Sequence, residues 1–468
     1  MTDYLYEKIR ELIVTQIRNK ALLPGDRLPS VRQFSRELNV SIGTVQKAYA
    51  ALEDLDLIHP KRRSGYYVKA VRAMPQPKAG SFTPVPGKVN VLETAVSVMR
   101  SASRRDLVQM GSAIPDVSGQ GVRQLHQEYR RHALKIPNYE EDPLGYLPLR
   151  RQLARRLLDT GRSVDPDDIL ITAGCQEALT IALRCIAGPG DIILVESPCY
   201  YGVLQALECL ELKALEIPVS SAGGMDTDQL ETMLQTWPVK GMIMTPAFSN
   251  PSGYLCSEPR KKKILDLIST HDIPLIEDDV FARLGFDGGR PRTLHSYDRE
   301  DRVILCGSIS KMLSPDLRIG WIIAGQYAGK ARTLKFTSTL CSPCHPQFAL
   351  AGFLATRKLD RHLRTIIPGY VKKQQALINA VNRWFPEGTK ISSPAGGFLS
   401  WVKLPEEIDG LRLYHDAVSA GIAITPGEIC SPTGQYKNFI RLNYAVVPPD
   451  ETDPVMKRLA GLLTRQAT

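Results

Sequence analysis

Gly307-Ser308-Ile309-Ser310-Lys311, followed by Arg318-x-Gly320-Trp321, is the stretch on which the reading of this chain turns. It begins just past the apolar run 303–306 and ends on another at 321–324, so its lysine, serines and arginine lie at strand ends. Similar runs stand at 169–172, 192–195, 242–245 and 274–276, separated by helix-length segments. Short apolar strands alternating with helices predict an α/β fold, with a largely parallel sheet covered on both faces.

Polar residues recur where these runs stop. Gly174-Cys175-Gln176 opens the helix after 169–172, so backbone N–H groups face outward with the positive helix end behind them. Ser308, Ser310 and Arg318 add two hydroxyls and a guanidinium fork, which suit a phosphate dianion. These are two halves of one phosphate site. Asp278, in Ile276-Glu277-Asp278-Asp279, is a carboxylate placed to hold a ring nitrogen protonated, whereas Asp279 fits a helix cap equally well. Asn250 in Asn250-Pro251-Ser252-Gly253 offers a donor, and Tyr200 in Ser197-Pro198-Cys199-Tyr200 a ring to stack on, although Asn-Pro and Ser-Pro alone are merely turns. Arg441 lies in the apolar strand Ile440-Arg441-Leu442, where a lone charge is costly without a partner such as a substrate carboxylate. Lys311 supplies an amine able to form a Schiff base and to shuttle a proton between Cα and C4'. Amine, ring-nitrogen partner, phosphate cradle, stacking surface and carboxylate anchor are the five things that pyridoxal 5'-phosphate asks of a protein.

Taken in order, Gly174, Tyr200, Asn250, Asp278, Lys311, Arg318 and Arg441 resemble the signature of fold-type I aminotransferases across about residues 106 to 460. The resemblance implies a mostly parallel central sheet with a smaller α/β domain, a homodimer, and Tyr146 reaching the phosphate of the partner subunit. One departure stands out: many relatives place tyrosine where this chain has Phe281, which removes a hydroxyl from the cofactor's O3' and argues against high turnover.

Upstream, Ile9, Leu12, Ile13 and Ile17 recur at helical spacing before the turn Pro24-Gly25. Ser30 and Gln33 form a capping box for a second helix carrying Val31, Phe34 and Leu38; Asn39 breaks it, and Ser41 caps a third, with Val40 and Val45 as a hydrophobic staple. Val45, Ala48, Tyr49 and Leu52 point inward, leaving Ile42, Gly43, Gln46 and Lys47 exposed. Leu57-Ile58-His59 and Tyr66-Tyr67-Val68 then flank Lys61-Arg62-Arg63-Ser64-Gly65 as a hairpin with a cationic tip. This winged helix-turn-helix pattern resembles the GntR family over residues 4 to 69. The resemblance implies the third helix in the major groove of double-stranded DNA, with Arg32, Ser41, Thr44, Lys47, Arg63 and Gly65 as contacts. Ile42 and Gln46 replace arginines common in that family, so the base preference leans on a thymine methyl or on adenine.

A GntR-like head on such a body resembles the MocR subfamily of transcription regulators. The implied function is a DNA-binding regulator whose cofactor domain senses a small amine or amino-acid effector and dimerises the chain. The alternative is an aminotransferase that passes an amino group to a 2-oxo acid.

Composition agrees with this division. At 468 residues, two or three domains are expected. The pattern assigns residues 1–70 to the head, 71–105 to a proline-rich linker and 106–468 to the cofactor domain. Net charge is +10, and residues 1–74 hold 13 Lys+Arg against 8 Asp+Glu, half the excess in under a sixth of the chain. That bias favours a polyanionic partner for the head. No apolar stretch reaches the roughly 18 residues of a membrane helix, and the N-terminus shows no export pattern, so a cytoplasmic chain is expected. Nine cysteines, all from Cys175 onward, do not form a disulfide framework and are expected reduced, with no metal site. Cys341-Ser342-Pro343-Cys344-His345 has haem-attachment spacing, but Pro343 and the missing export signal argue against that role. Arg260-Lys261-Lys262-Lys263 reads as a solvated helix face.

Overall fold

Six of the seven main strands of the large domain run the same way and one runs against them. The computed structural model describes residues 2–18, 21–23, 25–54, 57–61, 64–69, 76–77, 82–134, 142–220 and 223–467. From edge to edge the central sheet reads Gly87–Lys88, Lys213–Ser220, Ile192–Ser197, Val239–Met244, Leu275–Asp278, Val303–Ser308, Gly320–Ile323 and Ile169–Thr172, with Gly224–Met225 paired to Lys213–Ser220. Pairing is parallel from Lys213–Ser220 through Val303–Ser308, while Gly320–Ile323 is antiparallel to both its neighbours. The sheet is therefore mixed, with the expected parallel core.

Continuous apolar strands need cover on both faces, and alternate residues supply it. Ile193, Ile243, Ile276 and Ile304 pack with Ala178 and Ala182 of the helix Cys175–Ile186. Their neighbours Leu194, Met242, Leu275 and Val303 pack with Ile264 and Ile268 of the helix Glu258–Thr270. The smaller domain is an antiparallel sheet ordered Lys390–Ile391, Leu399–Lys403, Phe439–Asn443 and Thr425–Pro426, backed by the helices Gly410–Ser419 and Pro449–Ala467. The helix Lys358–Trp384 leads into it.

Residues 87–102 correct the expected linker. Gly87–Lys88 pairs with Lys213 and Ala214, Val89 and Val91 are buried, and the helix Leu92–Ala102 buries Ala95 and Val98 against the large domain. The nearby prolines masked that amphipathic stripe. In the basic run, Lys261 is buried and donates to the Arg292 carbonyl, while Lys263 pairs with Asp228 at 2.6 Å; only part of the run is a solvated face.

The head is three helices, Thr2–Arg18, Val31–Glu37 and Ile42–Asp54, and a hairpin of Ile58–Lys61 with Gly65–Val68. Ile9, Ile13, Leu28, Phe34, Val45, Tyr49, Leu52, Ile58 and Val68 form its core. Leu12 is 42% exposed, because the inward stripe follows Ile9 and Ile13 one turn apart. Ser30 Oγ accepts from the Gln33 N–H at 3.2 Å, but the Gln33 side chain turns to Glu37, leaving only half of the expected capping box. Among the described residues, no helix is long and apolar enough to cross a membrane.

Candidate functional site

Because the parallel strands share a direction, their carboxyl ends open onto one crevice. Cys175, Gln176, Tyr200, Asn250, Asp278, Ser308, Ser310, Lys311 and Arg318 line a single cavity there, joined by Leu179, Val280 and Phe281. Nine of the residues expected from the sequence thus converge.

Gly174 caps the helix Cys175–Ile186 at φ +87°, and a Cβ on it would lie 2.5 Å from Arg318 Nη2. Only glycine fits this approach. Arg318 itself adopts a left-handed conformation and donates to the Ala173 carbonyl at 3.0 Å, which brings its guanidinium beside the helix N-terminus. Ser308 and Ser310 hydroxyls are 2.8 Å apart on the same side. The loop is held from behind by residues that carry no motif in the sequence: Glu177 accepts from the Ala173 N–H at 2.6 Å and from the buried Lys335 ammonium at 2.8 Å.

Strand alternation sorts the three acids of Leu275–Asp278 and the residue after it. Glu277 is tied to the N–H groups of Leu294 and His295, and Asp279 is ion-paired with Arg290, which gives it a structural role. Asp278 alone faces the crevice, accepting from the Val280 N–H at 3.2 Å and from the Cys175 thiol at 3.5 Å. Burial raises its carboxyl to about 6 despite those bonds. Burial likewise lowers Lys311 to about 8, helped by the nearby Arg441 charge and opposed by Asp278. The Lys311 ammonium donates to the Ala113 carbonyl at 2.7 Å.

Arg441 lies fully buried behind the cavity. It donates to Asn250 Oδ1 at 2.9 Å, to Thr425 Oγ1 at 3.1 Å and to the Gly111 carbonyl; among the described residues its Nε has no hydrogen-bond partner and it forms no ion pair with a carboxylate. Asn250 is thus drawn toward this arginine. Tyr201, 5.5 Å beneath the Arg441 guanidinium, and the carbonyls of Gly111 and Ala113 also belong to the site. An aromatic neighbouring Tyr200 was the one available hint of them; the two carbonyls carry no signal in sequence. Phe281 packs edge-on against Phe398 at 5.4 Å and offers no hydroxyl. Tyr146 opens the helix Leu147–Leu157, its ring 4.6 Å from Phe348.

The donor set suits pyridoxal phosphate. A carboxylate in no direct ion pair among the described residues, Asp278, matches a protonated ring nitrogen, and the cradle of Gly174, Ser308, Ser310 and Arg318 matches a dianion.

In the head, Arg32 and Ser41 are exposed and Ile42 is 47% exposed at the start of the third helix. Thr44 corrects the expected contact set: it is only 5% exposed, its hydroxyl is bonded to Ser41 at 2.8 Å, and its N–H donates to Ser41 Oγ at 3.1 Å, so it is turned into the cap that Ser41 provides. The Lys47 ammonium lies 4.5 Å over the Tyr6 ring. Gly65 turns the hairpin at φ +112°, and Arg63 lies outside the described residues.

Residues 133–459 match the family aminotransferase class I and II, and residues 5–68 match the gntR family of bacterial regulatory proteins. The chain is 36% identical to the uncharacterized HTH-type transcriptional regulator YjiR of Escherichia coli over 96% of both chains. It is 28% identical to the HTH-type transcriptional regulator TauR of Rhodobacter capsulatus, covering 98% of this chain and 96% of that one. Among solved structures, the multiple substrate aminotransferase of Thermococcus profundus superposes with a TM-score of 0.72 at 30% identity, over 80% of this chain and 95% of that chain. The α-aminoadipate aminotransferase LysN of Thermus thermophilus, complexed with N-(5'-phosphopyridoxyl)-L-leucine, gives 0.73 at 26% identity, over 79% and 95%. The cofactor of the large domain is accordingly pyridoxal phosphate. The chain belongs to the aminotransferase class I and II family and carries a gntR-family head, the arrangement of MocR-type regulators.

Proposed function

We propose that this protein is a cytoplasmic, homodimeric transcription regulator that reads DNA through its head and senses an amine or amino acid in the cofactor crevice. The observation that carries the reading is the pair of buried ionic groups, Asp278 and Arg441, neither in a direct ion pair among the described residues, beside Lys311 in a chain that also presents an exposed helix start. When bound, pyridoxal phosphate supplies an aldehyde and an electron-withdrawing ring that acidify the Cα proton of an amino compound. Asp278 would keep the ring nitrogen protonated, and the Gly174–Arg318 cradle would hold the phosphate. Tyr200 would offer an aromatic face to the ring and Arg441 a guanidinium to the effector's carboxylate. Lys311, neutral in appreciable fraction because burial lowers it, would be the amine that holds the group. Regulation requires that effector binding favour one relative placement of the two heads over another. DNase footprinting on the intergenic DNA beside the protein's own gene, with and without pyridoxal phosphate and amino acids, tests the reading. Discrete protected half-sites are expected; uniform cleavage under every condition overturns it.

The complete set of Lys311, Asp278 and Arg441 also favours a second reading, an aminotransferase acting with a 2-oxo acid acceptor. Phe281 weighs against it. Incubation with a panel of amino acids and 2-oxoglutarate decides, since no oxo-acid product across the panel removes the enzyme.

A further inference from the structure

We propose that the outer face formed by the helices Leu147–Leu157 and Lys358–Trp384 is a second surface for duplex DNA, one that binds its phosphates. It rests on the reading of the chain as a DNA-binding regulator. Arg151 and Arg155 lie one turn apart on the first helix, and Arg357, Arg361 and Arg364 fall at i, i+4 and i+7 along the start of the second. All five are exposed, and among the described residues none has a side-chain ion pair or hydrogen bond. The two stripes are set side by side by Arg156, which reaches from the first helix to Asp360 at 3.2 Å and to the Leu354 carbonyl at 3.0 Å. Arg155 and Arg361 are the chain neighbours of the two bridging residues.

Three acids close to the stripes are already engaged. Asp360 is taken by Arg156, Asp159 by Arg283, and Glu128 by Lys358 at 2.6 Å. The five arginines themselves stay unpaired among the described residues, in a chain whose head accounts for only half of the net +10. Like charges one turn apart destabilise a helix, a cost that a polyanion removes. The stripes are also purely arginine, whose fork engages phosphate oxygens in pairs where lysine offers a point charge. A chain that binds DNA through its head works beside a long polyanion, the chemistry such a face would take.

The experiment uses the full-length cofactor-loaded protein and a fluorescein-labelled random-sequence duplex, followed by anisotropy between 50 and 200 mM NaCl. Charge reversal in the triple variant Arg155→Glu, Arg361→Glu, Arg364→Glu should weaken binding by about tenfold or more and flatten the salt slope by ~0.9 for each phosphate no longer neutralised. The matching triple Arg→Lys variant should retain most of the affinity, and neither should alter the visible cofactor band. The inference is overturned by wild-type affinity and slope in the glutamate variant, or by equal weakening in the lysine variant. Selective weakening of binding to phosphatidylglycerol vesicles, with DNA affinity untouched, assigns the face to membranes and overturns it too. Failure of the wild-type chain to bind any duplex sinks the regulator reading first and this surface with it.

Discussion

Lys311 and Asp278 carry opposite pH signatures. An amine lowered to about 8 attacks an aldehyde only in its neutral form, so colour development on adding pyridoxal phosphate should quicken about tenfold per pH unit below pH 8 and level off above it. Lys311→Ala should abolish the visible band while thermal unfolding of the apo chain is unchanged or shifted upward, since a desolvated ammonium is removed. Asp278 rises from 3.8 in the open chain to about 6 when folded, so the native state keeps its proton longer and loses stability as pH climbs through that interval. Above about pH 6 the cost is complete, of order 1–3 kcal/mol. Asp278→Asn should therefore raise the apo melting temperature at pH 7.5, leave it unchanged below about pH 4, and weaken cofactor binding roughly tenfold. Calorimetry at the two pH values checks the sign. These side chains were legible because charged and hydroxylic residues at the ends of apolar runs need a reason to be there. Gly111 and Ala113 were not, because they act through carbonyls that every residue possesses.

Among the elements, the strands were readable and the helix ends less so. All six strands anticipated in the large domain exist within a few residues of the expected bounds, since parallel strands buried on both faces are near-continuous apolar runs. The antiparallel sheet of the smaller domain was legible only at Phe439–Asn443, because Lys390–Ile391 and Thr425–Pro426 are two residues long and leave no period to detect. Thr44 was misjudged for a related reason: a hydroxyl near a recognition-helix start serves cap or DNA equally in sequence, and only burial separates the two. Ser41→Ala should cost about 1 kcal/mol of head stability by freeing the Thr44 N–H, visible as a lower unfolding midpoint for the head. Lys335→Met should cost about 2 kcal/mol, because it strands the Glu177 carboxylate. It should also raise the dissociation constant for pyridoxal phosphate, since Glu177 no longer fixes the turn before Gly174; titration of the visible band reads this directly.

Across the whole chain, cofactor binding to the folded state alone should stabilise the large domain by about 2.7 kcal/mol at a hundredfold excess over the dissociation constant and leave the head's unfolding unmoved. Two calorimetric transitions, one ligand-sensitive and one not, are the expected outcome; a single transition that shifts as one would show the two parts unfold together. The reversed strand Gly320–Ile323 bears on how such a chain tolerates change. Ser308 pairs directly with Gly320, so the eleven residues between them, Lys311 among them, form a closed excursion that leaves and re-enters the sheet at one step. Length added there leaves every ladder bond in place while it moves the Lys311 amine and Arg318 out of mutual reach. Insertions in this excursion would yield well-folded, colourless proteins, a class of lesion that expression level or melting point would never reveal.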